Sequence, residues 1–410
     1  MTRGAPLLYA AVLTLLLAGI AVWLLLPSPV APPAGRLRLV PLHYNALPGW
    51  YGSDPSAALA ALRRSCSVLR REPASAPMGG AGYAGTVAPW QTACAALPVR
   101  TSGPDAARAW FERHFAPAEI EAGVRRQGLF TGYYEPQIAG RQVRTPPFTI
   151  PVYGRPRDLV SVDLGRFRSR WHGQLLFGRM AGDQLVPYPS RSTIEAKGLA
   201  QAPVLFWTND PIGLFFLQIQ GSGRVRFGDG SVRRVDYAGQ NGRAYTAIGR
   251  TLVQMKALTP DQLSLQSIRD WLVHHPRQAP QVMNSDAAYV FFRLAPLNHP
   301  DLGPRGTEGV PLTPGASLAV DGRLHPLGVP FYVAAAPPRK GALPLRQLLI
   351  AQDTGGAIKG PVRADVFWGF GARARNLAGG MKSEGRLFVL LPRPLWSHLS
   401  GMAPAQERPR

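Results

Sequence analysis

The sequence predicts a mainly β protein with some α-helix, divided into more than one domain. Charged residues make up only 17% of the 410 residues, whereas Gly (44) and Pro (41) are abundant. That composition is typical of turn-rich β structure rather than of a helical bundle. Hydrophobic residues reach 46%, and the length exceeds what one core usually holds. We therefore expect an anchor followed by two globular domains.

The first element is an uncharged apolar run at residues 7–26, which ends at Pro27. Twenty helical residues at 1.5 Å each span the roughly 30 Å hydrocarbon core of a bilayer. A cleavable signal peptide normally has a shorter apolar core and a small-residue exit site, and this run offers only weak options near Ala31 and Ala34. The pattern favours an uncleaved membrane anchor with the rest of the chain exported.

Two cysteines, Cys66 and Cys94, are the only ones in the chain. In an exported protein they are either a disulfide or two unpaired core thiols, and both interpretations stay open here. Neither cysteine follows the apolar run, so the sequence contains no lipoprotein-type modification site.

Helices are predicted where apolar residues recur every three or four positions. This spacing occurs at residues 53–71, after Pro104, and at residues 243–258. A further helix is expected from Thr259, because Thr-Pro-Asp-Gln supplies an N-cap, a first-turn Pro and Gln262 in capping-box position.

Strands dominate residues 130–237 and return from residue 310 onward. Val225 and Phe227 alternate up to a Gly-Asp-Gly turn at residues 228–230, which predicts a hairpin. The dense apolar run at residues 214–219 is interpreted as a strand. Gln218 and Gln220 would then share one face, which meets either a cleft or an edge-strand neighbour.

The net charge of +22 concentrates anions near the surface, so nucleic acid, anionic lipid and an anionic wall polymer are candidate partners. The arginines are scattered singly among Pro and Gly, which does not favour nucleic acid. A genome that prefers Arg to Lys would produce the same excess. The eight histidines form no His-x-x-x-His pair, so we expect no metal site. Neither a Gly-x-Ser-x-Gly elbow nor a Walker loop occurs, and no cofactor is expected.

Carboxylates remain as the candidate catalytic groups, and three of them lie in the last hundred residues. Asp321 precedes Gly322, so a β-turn role is sufficient to explain it. Asp353 begins a Gly-rich loop whose amides its side chain can bind. Asp365 is followed by Val, Phe and Trp, and an acid in an apolar strand is costly without a purpose. Asp365 is therefore the strongest candidate.

The segment QDTGGAIKGPVRADVFWG at residues 352–369, together with Asp321, resembles the three-aspartate ("3D") domain of the membrane-bound lytic murein transglycosylase A family. Three further stretches match in the same order: FTGYYEP at 130–136, FFLQIQGSGRV with DYAGQNGRAYTAIG between 215 and 249, and YVFF at 289–292. Together they cover most of residues 120–392.

The resemblance implies a double-psi β-barrel interrupted by an inserted second β-barrel-like domain, with a groove between the two. We expect an anchor and linker at 1–35, the barrel at 36–136 and 301–396, the insert at 137–300 and a tail at 397–410. Asp365 matches the catalytic aspartate of the family, and Asp353 and Asp321 match its other two. For sugar binding we expect these residues: Thr131, Tyr133, Tyr134, Gln218, Gln220 and Ser222.

The implied reaction is cleavage of the MurNAc–GlcNAc β-1,4 bond of peptidoglycan with formation of 1,6-anhydro ends, in the periplasm or cell envelope. An ordinary glycosidase needs two carboxylates, whereas one acid is sufficient when the C6 hydroxyl of the sugar is the nucleophile. Two alternatives remain, a non-catalytic peptidoglycan-binding wall protein and a two-carboxylate hydrolase on the same barrel. Protein partners in wall synthesis are not predicted.

Overall fold

A closed six-stranded barrel is formed by strands that lie far apart in the sequence. Its strands are β3 (Gly128–Glu135), β13 (Ser317–Val320), β14 (Pro330–Ala335), β15 (Leu345–Thr354), β16 (Arg363–Phe370) and β17 (Ser383–Pro392). In this computed structural model, which describes residues 36–99, 103–168, 175–339, 341–356 and 358–401, their order is β17–β14–β15–β13–β16–β3. The barrel closes where β3 pairs back onto β17.

The central barrel strands are apolar because both of their faces are buried. Every residue of β14 is buried, and so are the last six residues of β17. Phe331, Val333, Leu387 and Val389 contribute to the main core of the molecule. Two further strands, β1 (Leu37–Pro41) and β2 (Phe115–Ala122), extend the sheet from the edge of β17.

Three helices lie near the start of the described chain and belong to the same core: α1 (Ser56–Leu69), α2 (Ala88–Ala95) and α3 (Pro104–His114). The helices predicted at 53–71 and after Pro104 are confirmed. Cys66 of α1 and Cys94 of α2 form a disulfide with a Cα–Cα distance of 5.5 Å. Of the two interpretations that the sequence left open, the structure therefore has the disulfide.

Between β3 and β13 the chain forms a second β unit. A four-stranded sheet contains β4 (Gln137–Ala139), β10 (Gly223–Arg226), β11 (Val232–Gln240) and β12 (Val290–Ala295). Smaller sheets pair β5 (Ile150–Tyr153) with β9 (Val204–Thr208), and β6 (Val160–Asp163) with β7 (Leu175–Ala181) and β8 (Gln184–Pro187). The predicted hairpin is confirmed, because β10 and β11 pair antiparallel across the Gly-Asp-Gly turn.

Seven more helices accompany these sheets in the described ranges. They are α4 (Arg191–Lys197), α5 (Pro211–Gln220), α6 (Ile248–Gln254), α7 (Leu265–His274), α8 (Ala279–Asn284), α9 (Gly371–Gly380) and α10 (Arg393–Gly401). Short 3₁₀ turns lie at Tyr44–Ala46, Trp50–Gly52, Leu164–Arg166 and Pro260–Gln262.

The strand predicted at residues 214–219 is wrong, because this run belongs to α5. Asp210 caps the helix by accepting a hydrogen bond from the Gly213 amide at 2.7 Å, and Pro211 occupies the first turn. Gly221 ends the helix in the left-handed conformation, as C-terminal glycines commonly do. The helix is apolar nearly all round because six of its residues are buried, and this obscured the helical period.

The helices predicted around residue 259 are shorter than expected. The 243–258 pattern yields only α6. The expected capping box at Thr259 and Gln262 is present, but it closes a 3₁₀ turn, and Ser264 starts α7 with a second capping box. A second polar N-cap, five residues after the first, therefore divided one predicted helix into two elements.

A buried charge cluster joins the barrel to the second unit. Glu135 at the end of β3 accepts hydrogen bonds from Arg224 at 2.8 Å and Arg234 at 3.0 Å. The same guanidinium groups donate to the carbonyl of Leu302, at 3.2 Å and 2.9 Å, where the chain returns toward the barrel. A buried carboxylate needs such partners. Because the same two arginines bind Glu135 and Leu302, the cluster links the segment that leaves the barrel to the segment that returns to it.

None of the helices in the described ranges is both long and apolar enough to cross a membrane. Residues 7–26, where the anchor was predicted, lie outside those ranges. The domain limits expected at 136/137 and 300/301 stay a prediction.

Candidate active site

Four neighbouring strands place a row of side chains on one face of the barrel wall. Ala319 of β13 pairs with Asp353 of β15 on one side and with Asp365 of β16 on the other. Asp365 in turn pairs with Thr131 of β3. Directly paired residues point to the same face of a sheet, and strands lie about 4.8 Å apart. The two aspartates are therefore two strands apart, with only an alanine between them.

A β-bulge creates this alignment. Leu318 pairs with Ala351, but Ala319 pairs with Asp353, so Gln352 is an extra residue in β15. The Gln352 side chain is fully buried, and its amide donates to the Ala61 carbonyl at 3.0 Å and to the Ser65 hydroxyl at 2.9 Å. Bulges commonly re-aim side chains next to functional sites. Here the bulge brings Asp353 to the level of Asp365.

The row opens into a cleft of about 620 Å³ between the barrel and the second unit. The barrel contributes Tyr133, Ala319, Asp353, Thr354, Gly355, Gly356, Ile358 and Asp365. The second unit contributes Arg191, Gln218, Ile219, Gln220, Gln240, Tyr245, Asp286, Ala288 and Val290. This volume is in the range of pockets that bind organic ligands.

Asp365 is half-buried in this cleft, and its Oδ1 atom is buried without a hydrogen-bond partner in the described part of the chain. Burial raises the pKa of Asp365 to about 6, Arg363 and a hydrogen bond with Thr131 act against that rise, and Asp353 adds to it. A buried carboxyl oxygen without donors favours the neutral acid. Asp365 can therefore carry a proton at a pH where ordinary aspartates are ionised.

Asp353 has a contrasting environment, because four donors surround its carboxylate. Its Oδ1 accepts from the Thr307 amide at 3.0 Å, the Thr307 hydroxyl at 2.9 Å and the Thr354 amide at 2.9 Å. Its Oδ2 accepts from the Tyr133 hydroxyl at 3.0 Å. Burial raises the pKa of Asp353 above its usual value, and these hydrogen bonds offset only part of the rise, because they stabilise the charged form.

Asp321 is buried at the turn after β13 and is not among the residues that line the cleft. Its carboxylate accepts two hydrogen bonds from the Arg323 guanidinium, at 3.0 and 2.8 Å, and one from the Gly360 amide at 2.9 Å. Burial alone would raise the pKa of Asp321, but these bonds hold it at about 2. Asp321 thus fixes the segment that leads into β16.

The predicted sugar-binding residues are divided between several places. Tyr133 lines the cleft and contacts Phe367 with a ring-centroid distance of 5.2 Å. Tyr134 points to the other face of β3. Ser222 follows the C-cap of α5 and does not line the cleft. Thr131 accepts a hydrogen bond from Arg363 at 2.9 Å.

The two glutamines line the cleft from the end of α5, not from a strand. Gln218 is buried and accepts a hydrogen bond from Arg191. Gln220 accepts a longer one, 3.3 Å, from the Tyr134 amide. The side-chain oxygen of Gln218 therefore already has a partner in the protein, whereas the side-chain nitrogen of Gln220 donates to none of the described residues.

Sequence reasoning missed several polar residues of the cleft. Arg191 is 2% exposed and donates to the carbonyls of Asp286 at 3.1 Å and Ala288 at 2.7 Å. Asp286 precedes the apolar strand β12, so the argument that selected Asp365 could also have found it. Arg191 had no comparable signal, because the two carbonyl groups that it binds lie 95 and 97 residues away in the sequence.

Comparisons with known proteins agree with this arrangement. The family model described as the MltA specific insert domain matches residues 129–293, and the 3D domain model matches residues 316–391. Membrane-bound lytic murein transglycosylase A of Escherichia coli K12 is 32% identical over 276 residues, which cover 65% of this chain and 66% of that relative. The aligned part thus spans just under two thirds of that relative.

Two solved structures are similar over nearly their whole length. A membrane-bound lytic murein transglycosylase from Agrobacterium tumefaciens is 31% identical with a TM-score of 0.77, over 88% of this chain and 99% of that one. MltA from Neisseria gonorrhoeae is 32% identical with a TM-score of 0.73, over 92% of this chain and 98% of that one.

Replacing Asp321 with Asn is expected to lower stability in a pH-dependent way. The folded pKa of about 2 lies below the usual unfolded value, so the stabilisation is present above about pH 4 and is lost as the pH falls toward 2. Because Arg323 is 71% exposed, solvent screens part of the attraction, and we expect Asp321→Asn to cost about 1–2 kcal/mol at pH 7. Urea unfolding at pH 7, 4, 3 and 2 measures this. Asp301→Asn, at an exposed loop position, is the control, and a loss of equal size in both variants contradicts the assignment.

Proposed function

The chain belongs to the membrane-bound lytic murein transglycosylase A family, and on that premise we propose that it cleaves the MurNAc–GlcNAc β-1,4 bond of peptidoglycan with Asp365 as its single acid and base. The observation that carries the proposal is the Asp365 carboxyl group. It lies in the cleft, and its pKa is raised to about 6. One of its oxygens is buried without a hydrogen-bond partner in the described residues. Such perturbed acids are common at catalytic sites.

The proposed reaction has two proton transfers at the same carboxyl group. Neutral Asp365 first protonates the departing glycosidic oxygen, and the C1–O bond to that oxygen breaks. The resulting carboxylate then takes the proton from the C6 hydroxyl of the muramoyl residue, whose oxygen bonds to C1 and closes the 1,6-anhydro ring. The nucleophile belongs to the substrate, so no water is consumed and the entropy of recruiting a second molecule is avoided.

Asp353 is proposed to stay ionised and to act on Asp365 through its charge. Its four donors stabilise the carboxylate, and its negative charge raises the pKa of Asp365. Environments that separate two carboxylic acids in this way are typical of acid–base pairs in enzymes. Asp321 is proposed to support the site indirectly, through the Gly360 amide.

For sugar binding, Tyr133 and Gln220 have the strongest support, because both line the cleft and the Gln220 side-chain nitrogen donates to none of the described residues. Gln218 is proposed to act indirectly, by accepting a hydrogen bond from Arg191. Thr131 is proposed to position Asp365. For Tyr134 and Ser222 the geometry offers no contact with the cleft, and a direct sugar-binding role is not supported.

Replacing Asp365 with Asn should abolish cleavage, because the amide can neither donate an acidic proton nor accept one from C6. We expect 1,6-anhydromuropeptides from purified murein with the wild-type chain and at least a thousandfold fewer with Asp365→Asn. Mass spectrometry of the digests measures this. Asp183→Asn makes the same chemical change in an exposed turn and should leave the products unchanged.

The same digests distinguish the two alternative functions. A two-carboxylate hydrolase adds water, so its products have hydrated reducing ends and gain 18O when the digest is made in labelled water. A non-catalytic wall-binding protein yields no products while still sedimenting with murein. Either result rules out the proposed reaction.

The rate should fall as the pH rises through about 6, because the first step needs the protonated acid. In Asp353→Asn the neighbouring negative charge is gone, so the pKa of Asp365 falls and this limb of the kcat/KM profile moves to lower pH. Profiles measured between pH 4 and 8 test this, with Asp183→Asn as the control. An unmoved limb in Asp353→Asn means that Asp353 does not act through its charge.

We also propose that residues 7–26 anchor the chain in a membrane of the cell envelope, with the catalytic part on the periplasmic side. The support is the uncharged twenty-residue run and the names of the relatives as membrane-bound. Deleting residues 1–35 and substituting a cleavable signal peptide should move murein-cleaving activity from the membrane fraction to the soluble periplasmic fraction. Activity that stays with the washed membranes contradicts this mode of attachment.

A further inference from the structure

A second cavity, of about 170 Å³, lies on the opposite face of β3 from the cleft. Adjacent residues of a strand point to opposite faces, so Tyr133 enters the cleft and Tyr134 enters the second cavity. Helix α5 separates the two spaces, with Gln220 on the cleft side and Phe216 on the other. The proposed reaction gives this cavity no role.

Tyr134 lines this cavity and has no hydrogen-bond partner for its hydroxyl among the described residues. The side chain is only 6% exposed. Burial raises the pKa of Tyr134, the charges of Arg375 and Arg269 act against the rise, and Asp210 adds to it; all three charged residues line the same cavity as Tyr134. A buried phenol normally finds a partner.

The N-terminus of α9 opens into the same cavity. Gly371 and Ala372, the first two residues of this ten-residue helix, line the cavity. No side chain caps this end, and its first turn contains no acidic residue. The free N–H groups and the helix dipole therefore favour a negative charge here.

The charges that line the cavity leave one cation uncompensated. Arg269 lies 3.5 Å from Asp210, whose other oxygen caps α5. Glu135 is paired with two arginines of its own. Arg375 is half-buried, and it makes neither an ion pair nor a hydrogen bond within the described ranges.

We propose that this cavity binds a carboxylate group, held by the Arg375 guanidinium, the Tyr134 hydroxyl and the free amides of Gly371 and Ala372. The guanidinium fork matches the two oxygens of a carboxylate, and about 170 Å³ accommodates a small acid or the end of a peptide. The source is either a free small acid or an acidic residue of a peptide stem attached to the glycan. Only the second source rests on the proposed function.

Thermal unfolding of the full chain in detergent tests the site, with sodium acetate replacing sodium chloride at constant ionic strength and pH 7. Wild type should show a saturable rise in Tm. Arg375→Met should lose it, and Tyr134→Phe should need several-fold more acetate. Arg373→Met removes the same charge from an exposed position two residues earlier on α9 and should keep the full rise.

No rise in wild type, or an equal loss in both arginine variants, overturns the proposal. If Arg375→Met fails to fold, Tyr134→Phe decides, and an unchanged acetate requirement overturns it.

The free tetrapeptide L-Ala-γ-D-Glu-meso-diaminopimelate-D-Ala distinguishes the two sources. If the stem is the ligand, the tetrapeptide should raise Tm at concentrations at least tenfold below those of acetate, and Arg375→Met should remove the effect. If the tetrapeptide raises Tm only at concentrations as high as those of acetate, the ligand is a free small acid. Murein digests by the same proteins are scored separately. Absence of anhydro products in wild type counts against the proposed cleavage, whereas the acetate response alone decides the carboxylate site.

Discussion

The register of β15 against β13 determines the chemistry of the cleft. If β15 paired with β13 without the bulge, Gln352 would face Ala319, and Asp353 would point to the other side of the sheet. A one-residue shift inverts every side chain of a strand, so the bulge must be held firmly. The buried Gln352 amide does this by bonding to Ala61 and Ser65 of α1. The disulfide at Cys66 ties that helix to α2.

The two cleft carboxylates share burial but differ in their donors. Desolvation raises the pKa of each, and burial alone would not decide which one holds a proton. Thr307 contributes two of the four hydrogen bonds to Asp353, from the segment that leads from the second unit back to the barrel. The path of the returning chain therefore gives Asp353 hydrogen-bond donors that the buried Oδ1 atom of Asp365 lacks among the described residues.

Local chemistry decided which parts of this arrangement could be predicted from the sequence. The importance of Asp365 could be predicted because a carboxylate next to Val366 and Phe367 is costly in an apolar strand. The hairpin and the first helices were predictable because their signals lie within a few residues. Helix α5 was not predictable, because its residues are apolar on nearly all sides and show no 3.6-residue period. Only Asp210-Pro211 and Gly221 marked its two ends. The pairing of Thr307 with Asp353 and that of Arg191 with Gln218 join distant positions, and only the folded chain brings them together.

The alternation of β3 lets one short segment supply side chains to two separate spaces. Tyr133 faces the cleft that contains Asp353 and Asp365, and Tyr134 faces the cavity in which Arg375 has no ion-pair partner among the described residues. Gly132 lies between Thr131 and Tyr133, where a Cβ atom would approach the Trp368 indole nitrogen to 2.6 Å and α9 at Ala378 to 2.9 Å. A larger residue there would displace α9, whose N-terminus opens into the second cavity. The absence of a side chain at this glycine therefore allows α9 to pack closely against β3 beside the second cavity.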